Sequence, residues 1–156
     1  MAKKATPDNI VCRNRKAMHR FQVLERLECG MVLVGTEVKS LRDRNASIEE
    51  AYARIEGGEL WLIGSHIAPY RFGHDFNHDP YRRRKLLAHA RQIEKLKSRV
   101  ELKGLTLIPL KIYFNDRGVA KLSLGLAQGK RAADKRESLK ARDHKREIER
   151  AMRRKR

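Results

Sequence analysis

Leu105-Thr-Leu-Ile-Pro-Leu-Lys-Ile-Tyr-Phe114, Asn115-Asp-Arg-Gly118 and Val119-Ala-Lys-Leu-Ser-Leu-Gly-Leu-Ala127 together decide the fold class. Two runs rich in aliphatic and aromatic residues flank four turn-forming residues, the pattern of an antiparallel hairpin. Pro109 carries no N–H to donate to a ladder, so it marks an edge or a bulge. The same grammar recurs upstream. Ala53-Arg-Ile-Glu56 and Glu59-Leu-Trp-Leu-Ile-Gly64 flank Gly57-Gly58, a turn that sets a hairpin register. Phe21-Gln-Val-Leu-Glu-Arg-Leu27 and Met31-Val-Leu-Val-Gly-Thr-Glu-Val-Lys39 read as two more strands, with a tight turn at Cys29-Gly30.

Helical signals are fewer. Ser47 with Glu50 three residues on has the form of a capping box and predicts a short helix through Ala51. Ile93, Leu96, Val100 and Leu102 recur at helical spacing, and Gly104 stands where a left-handed cap ends a helix over about Arg91 to Leu102. About six short strands and small helices predict a mainly β fold, an antiparallel barrel of the oligonucleotide-binding type, over residues 1–127. The stretch from Gly73 to Pro80 has no periodicity and reads as an exposed loop. Around it cluster Tyr70, Phe72, Phe76 and Tyr81, which either stack on unpaired bases or cover a barrel end.

Residues 128–156 differ in kind. They hold thirteen Lys/Arg against five Asp/Glu, which is eight of the chain's eighteen net positive charges, and their only large apolar side chains are Leu139, Ile148 and Met152. Ordering a residue costs roughly 1–2 kcal/mol, so this tail is expected to be disordered alone. It is also expected to turn helical on a partner. Glu137 with Lys140, Asp143 with Arg146, Glu147 with Arg150 and Glu149 with Arg153 put acid before base at helical spacing, each pair contributing about 0.2–0.5 kcal/mol.

The charge also narrows the function. With pI ≈ 10.5 and basic runs at Arg13-Asn-Arg-Lys16, Arg82-Arg-Arg-Lys85 and the tail, the expected partner is a nucleic acid. No apolar run approaches the ~20 residues that span a bilayer, so no membrane partner is expected, and the polar arm Met1-Ala-Lys-Lys-Ala-Thr-Pro7 lacks the form of a signal peptide. Cys12 and Cys29 share no metal-binding spacing, and a reducing, cytoplasmic setting suits them. Asn14 and Glu28 are an amide and a carboxylate next to basic residues. They either hydrogen-bond base edges and 2′-hydroxyls or serve as a turn former and a strand end. His19 reads as an RNA contact more readily than as a general base. His66, His74 and His78 have no accompanying metal cluster, and no nucleotide-binding or hydrolase motif is present. The expectation is a non-enzymatic RNA binder without metal, cofactor or small-molecule substrate.

Four motifs carry a resemblance. Gly35-Thr-Glu-Val-Lys-Ser-Leu-Arg42, Arg84-Lys-Leu-Leu87 with His89, Gly104-Leu-Thr-Leu-Ile-Pro-Leu-Lys-Ile-Tyr-Phe114, and Gly129-Lys-Arg131 with Asp134-Lys-Arg136 resemble, collinearly from about Ile10, the small protein B family of bacterial SsrA-binding proteins. The resemblance implies binding to transfer-messenger RNA and its delivery to stalled ribosomes for trans-translation, in which the ribosome is rescued and the incomplete peptide tagged for proteolysis. It also implies a gripping face for the tRNA-like domain of that RNA, made of Asn14, Arg15, Lys16, His19, Glu28, Arg84, Lys85 and Leu87. Gly129, Lys130, Arg131, Asp134, Lys135 and Arg136 would begin a tail that enters the vacant message channel of the ribosome and folds as a helix near the decoding centre. Ala132-Ala133 stand where family members often have a bulkier residue, including His or Tyr, and Ala88 where a large aliphatic is common. A structural ribosomal protein is the alternative expectation, since it would share the charge, barrel and tail.

Overall fold

The computed structural model describes residues 9–154; the N-terminal arm and the last two residues of the tail lie outside them. In chain order the elements are β1 (Ile10–Arg13), α1 (Ala17–Arg20), β2 (Phe21–Met31), α2 (Gly35–Arg42), β3 (Ala46–Ser47), β4 (Tyr52–Glu56), β5 (Glu59–Ile63), β6 (His66–Ile67), β7 (Arg84–Leu87), α3 (Ala90–Lys103), β8 (Thr106–Phe114), β9 (Ala120–Gly129) and α4 (Ala132–Arg154). Strands β8, β4, β5, β7, β2 and β9 are paired in that order, and β9 returns to β8, closing a six-stranded antiparallel ring. Closure removes the exposed edges that make open sheets sticky.

The hairpin that decides the fold is present as read, with Thr106 opposite Ala127 and Phe114 opposite Ala120. Its register slips between Pro109 and Lys111, the bulge that the proline predicts. One edge of β8 is shared there. Its first half pairs with β4 at Leu107, and its second half pairs with β1 at Lys111 through Tyr113. Leu60, Leu62, Leu86, Ile112, Leu122, Leu124 and Leu126 point inward from their strands and meet Leu41 of α2, together with Ile48 and Ile67. Burying one such side chain contributes about 1.5–3 kcal/mol.

Sequence expectations are corrected at several points. Cys29-Gly30 is no turn, because β2 continues through it to Met31 and pairs Gly30 with both Lys121 and Leu87. The stretch from Gly35 to Arg42 is helical, where a strand was expected through Lys39. The Glu37 carboxylate reaches back to accept the Val34 N–H at 3.0 Å, which satisfies one of the orphan donors of the helix start, while Ser40 and Leu41 are buried. Ser47 opens no helix; it lies in β3, opposite His66 of β6. The helix expected near Arg91 is α3, ended by Gly104 at φ +60°, but Leu102 faces solvent and only Ile93, Leu96 and Val100 reach the core. β9 runs through Gly129, two residues past the boundary expected from composition, and α4 follows as a helix with no buried residue.

Candidate nucleic-acid interface

Strand register assembles charges that are far apart in sequence. Arg13 of β1 lies opposite Lys111 of β8, which lies opposite Ser123 of β9, which lies opposite Glu28 of β2. The next row on the same side of these strands is Tyr113, which is itself buried, then Lys121, Gly30 and Leu87. Because side chains alternate across a sheet, the two rows share the outer surface of the barrel. The Tyr113 hydroxyl donates to Glu28 Oε2, and Lys111 Nζ lies 4.9 Å from the centroid of the Tyr113 ring.

Beside these rows Arg13, Arg15, Arg26 and Lys111 line a cleft of about 280 Å³ with Asn14, Met18, Leu110 and Ser123. None of the four cations is held in an ion pair among the described residues. Partial burial lowers the proton affinity of Lys111, and repulsion from Arg13 and Arg26 lowers it further, against the opposing pull of Glu28. With no ion pair among the described residues, the four cations are chemically suited to a polyanion.

Residues expected on the gripping face divide sharply. Leu87 is 50% exposed on the outer surface, where Gly30 leaves it room; a Cβ at Gly30 would lie 3.2 Å from Leu87 Cβ. Glu28 and Arg15 are exposed, on the face and in the cleft. Lys85 is outward-facing but paired with Glu59 at 2.6 Å, and Lys16 is paired with Glu50 at 2.9 Å and Glu49 at 3.3 Å. His19 is half-buried beside them, its Nδ1 without a partner among the described residues.

Arg84 does not lie where a surface contact would need it, and Asn14, though it reaches the cleft wall, has its amide committed to the backbone. The Asn14 amide donates to Pro109 O at 3.0 Å and Ile48 O at 3.3 Å and accepts the Ala17 N–H, so it is buried at the seam where β8 changes partner. Arg84 is fully buried. Its guanidinium donates to Glu37 Oε1 at 2.8 Å, to Ser65 O and Oγ at 2.9 Å and to Pro80 O at 3.1 Å. Arg82 binds the other side of the same carboxylate at 2.8 Å. A run of four cations that looks like one surface patch is therefore one buried guanidinium and three partnered neighbours, since Arg83 also meets Glu56 at 2.6 Å.

The start of the tail is anchored. Lys130 N–H donates to Arg20 O, while Lys130 Nζ spans Met18 O at 2.9 Å and Ser138 Oγ at 3.1 Å. Asp134 accepts the Arg131 N–H, capping α4. Gly129, Arg131, Lys135 and Arg136 continue outward from this root. Reading the sequence by basic runs missed Arg26, Lys111 and Lys121. Each is a single cation at an outward position in a strand, and only register brings them together.

Comparison with known proteins assigns the family. Residues 11–154 match the family model described as SmpB protein. The SsrA-binding protein of Chelativorans sp. is 53% identical over 149 residues, 96% of each chain, and that of Moorella thermoacetica is 54% identical over 144 residues, 92% of this chain and 93% of its own. A solved chain described as "tmRNA-SmpB: a journey to the center of the bacterial ribosome" superposes with a TM-score of 0.66 at 50% identity, covering 82% of this chain and 93% of its own. Matched along nearly its whole length by the family model and by these relatives, the chain belongs to the SmpB family.

Proposed function

We propose that this chain is a cytoplasmic RNA-binding adaptor that grips the tRNA-like domain of transfer-messenger RNA and brings it to ribosomes stalled on incomplete messages, enabling trans-translation. The names of its relatives and of the similar solved structure support the reading, but one observation carries it. Arg13, Arg15, Arg26 and Lys111 are gathered around one cleft with no ion pair among the described residues, an arrangement that costs repulsion until phosphates enter. The barrel, residues 1–127, acts as the gripping domain, with Leu87 packing against the RNA and Glu28, held from below by the Tyr113 hydroxyl, offering a hydrogen-bond acceptor beside it. Asn14 and Arg84 act from beneath, holding β8 and β7 in place.

The tail, residues 128–156, serves on the ribosome. At 3.6 residues per turn, the Lys and Arg side chains of α4 cover its circumference except for one stripe through Ala133, Glu137, Ala141, His144, Ile148 and Met152. Such a helix suits a message channel walled by phosphate. With no buried residue to fix it, α4 is marginal alone and is stabilised where its charge is neutralised. No bond-making step is asked of the protein.

The test is the RNA that co-purifies with the tagged protein from its own cells. A single tRNA-like RNA, with loading restricted to stalled ribosomes, is the expected result. Stoichiometric presence on every small or large subunit with no such RNA would instead make the chain a structural ribosomal protein.

A further inference from the structure

Residues 70–81, between β6 and β7, form a loop that the gripping face leaves unexplained. Its rings turn outward. Phe76 is 90% exposed, Tyr81 65% and Phe72 61%, so they do not cover the barrel end. Yet the loop is tightly built. The Asn77 side chain closes it by accepting the Tyr70 N–H at 2.8 Å and donating to Tyr70 O at 2.9 Å, and it lies where a Cβ at Gly73 would collide with it at 2.7 Å. His78 bridges Thr36 of α2 and Ile67 of β6, each at 2.9 Å, and Asp79 accepts the Tyr81 N–H. His74 stands at φ +46°, a backbone conformation that costs a non-glycine residue energy and that the loop closure holds in place.

Cations are interleaved with the rings. Arg71 lies 4.9 Å from the Phe72 centroid and Lys39 5.3 Å from that of Tyr70, while Phe72 meets Tyr70 edge-on at 5.6 Å. Asp75 and Asp79 are in the same loop and oppose a phosphate, leaving the ring faces as the attractive feature. The loop runs directly into β7, which carries Lys85 and Leu87. The six steps from Tyr81 to Leu87 span at most about 20 Å.

We propose that the loop 70–81 is a rigid stacking platform, with Phe76 at its tip, for an unpaired base of the same RNA that the barrel face grips. A base stacking on a ring carried by an already closed loop needs no reordering of the loop backbone on binding, and every base has a face to offer. The inference rests on the adaptor reading and extends its interface past the strand face to the end of the barrel.

The test is binding of a tRNA-like-domain transcript to the full chain at several salt concentrations. The variants are Phe76→Ala, Phe76→Leu and Phe76→Trp, which the exposure of the residue makes safe for folding. Phe76→Ala is expected to weaken binding about tenfold or more, with an unchanged salt slope because no phosphate contact is lost. Phe76→Leu should stay as weak as alanine. Phe76→Trp should retain affinity and show indole quenching on binding beyond that of the parent, whose only tryptophan is Trp61. If Phe76→Ala binds as tightly as the parent, the platform is overturned and the adaptor reading stands. It is equally overturned if that variant binds RNA normally but loses peptide tagging, a result that would assign the loop to a ribosomal surface. A parent chain that does not bind the transcript overturns both.

Discussion

Glu37 holds more of the molecule together than its place in a surface-like motif suggests. Burial pushes its carboxyl up, but the hydrogen bonds from Arg82 and Val34 and the charge of Arg84 outweigh that and hold it below its ordinary value of 4.5. A carboxyl lowered in this way stabilises the fold fully above about pH 4.5 and loses that contribution as pH falls through its lower folded value. Acid unfolding of the parent should therefore show a component below pH 4.5 that Glu37→Gln lacks. Glu37→Ala leaves Arg84 charged and buried, and about 3–5 kcal/mol of stability should be lost in urea unfolding. Lys111→Ala should behave oppositely. It removes repulsion from Arg13 and Arg26, so stability is kept or raised, while the slope of log affinity against log salt falls by about 0.9 as one phosphate contact goes. The difference between these residues could not be read in advance. Arg84 and Lys111 are equally cationic in sequence, and only the fold puts one beneath the sheet and the other in a cluster of like charges.

Among the elements, those defined by local pattern were legible. The β8–β9 hairpin follows from alternation around a four-residue turn, and α3 from apolar spacing closed by Gly104. The errors came where tertiary demands overrode propensity. Six strands were expected and six close the ring, but the membership differs: the stretch Met31–Lys39 contributes most of its length to a helix, and β7 takes the vacant place. β7 was invisible as a strand because its first inward side chain is Arg84 rather than an aliphatic. Gly30 looked like a turn and proves to be a clearance for Leu87. Gly30→Val should cost about 1–3 kcal/mol through overpacking and displace Leu87, so RNA affinity should fall along with stability when both are measured.

For the whole molecule, the division of labour between barrel and tail is testable by truncation. A chain ending at Arg131 keeps β9 and the Lys130 contact to Arg20. Since α4 buries nothing, its loss should change unfolding stability by less than about 1 kcal/mol and leave binding of the tRNA-like transcript intact. Peptide tagging on stalled ribosomes should disappear, and a truncated chain that still tags would remove the tail from the mechanism.

The pairing of Phe21 with Gly129 joins positions more than a hundred residues apart. During its own synthesis the chain must therefore wait for almost its full barrel to emerge before β2 finds β9, since non-local closure comes late and slowly. Until then β2 is an open edge. A message for this protein that broke before Ala120, where β9 begins, would yield no partly working adaptor, only a fragment fit for degradation.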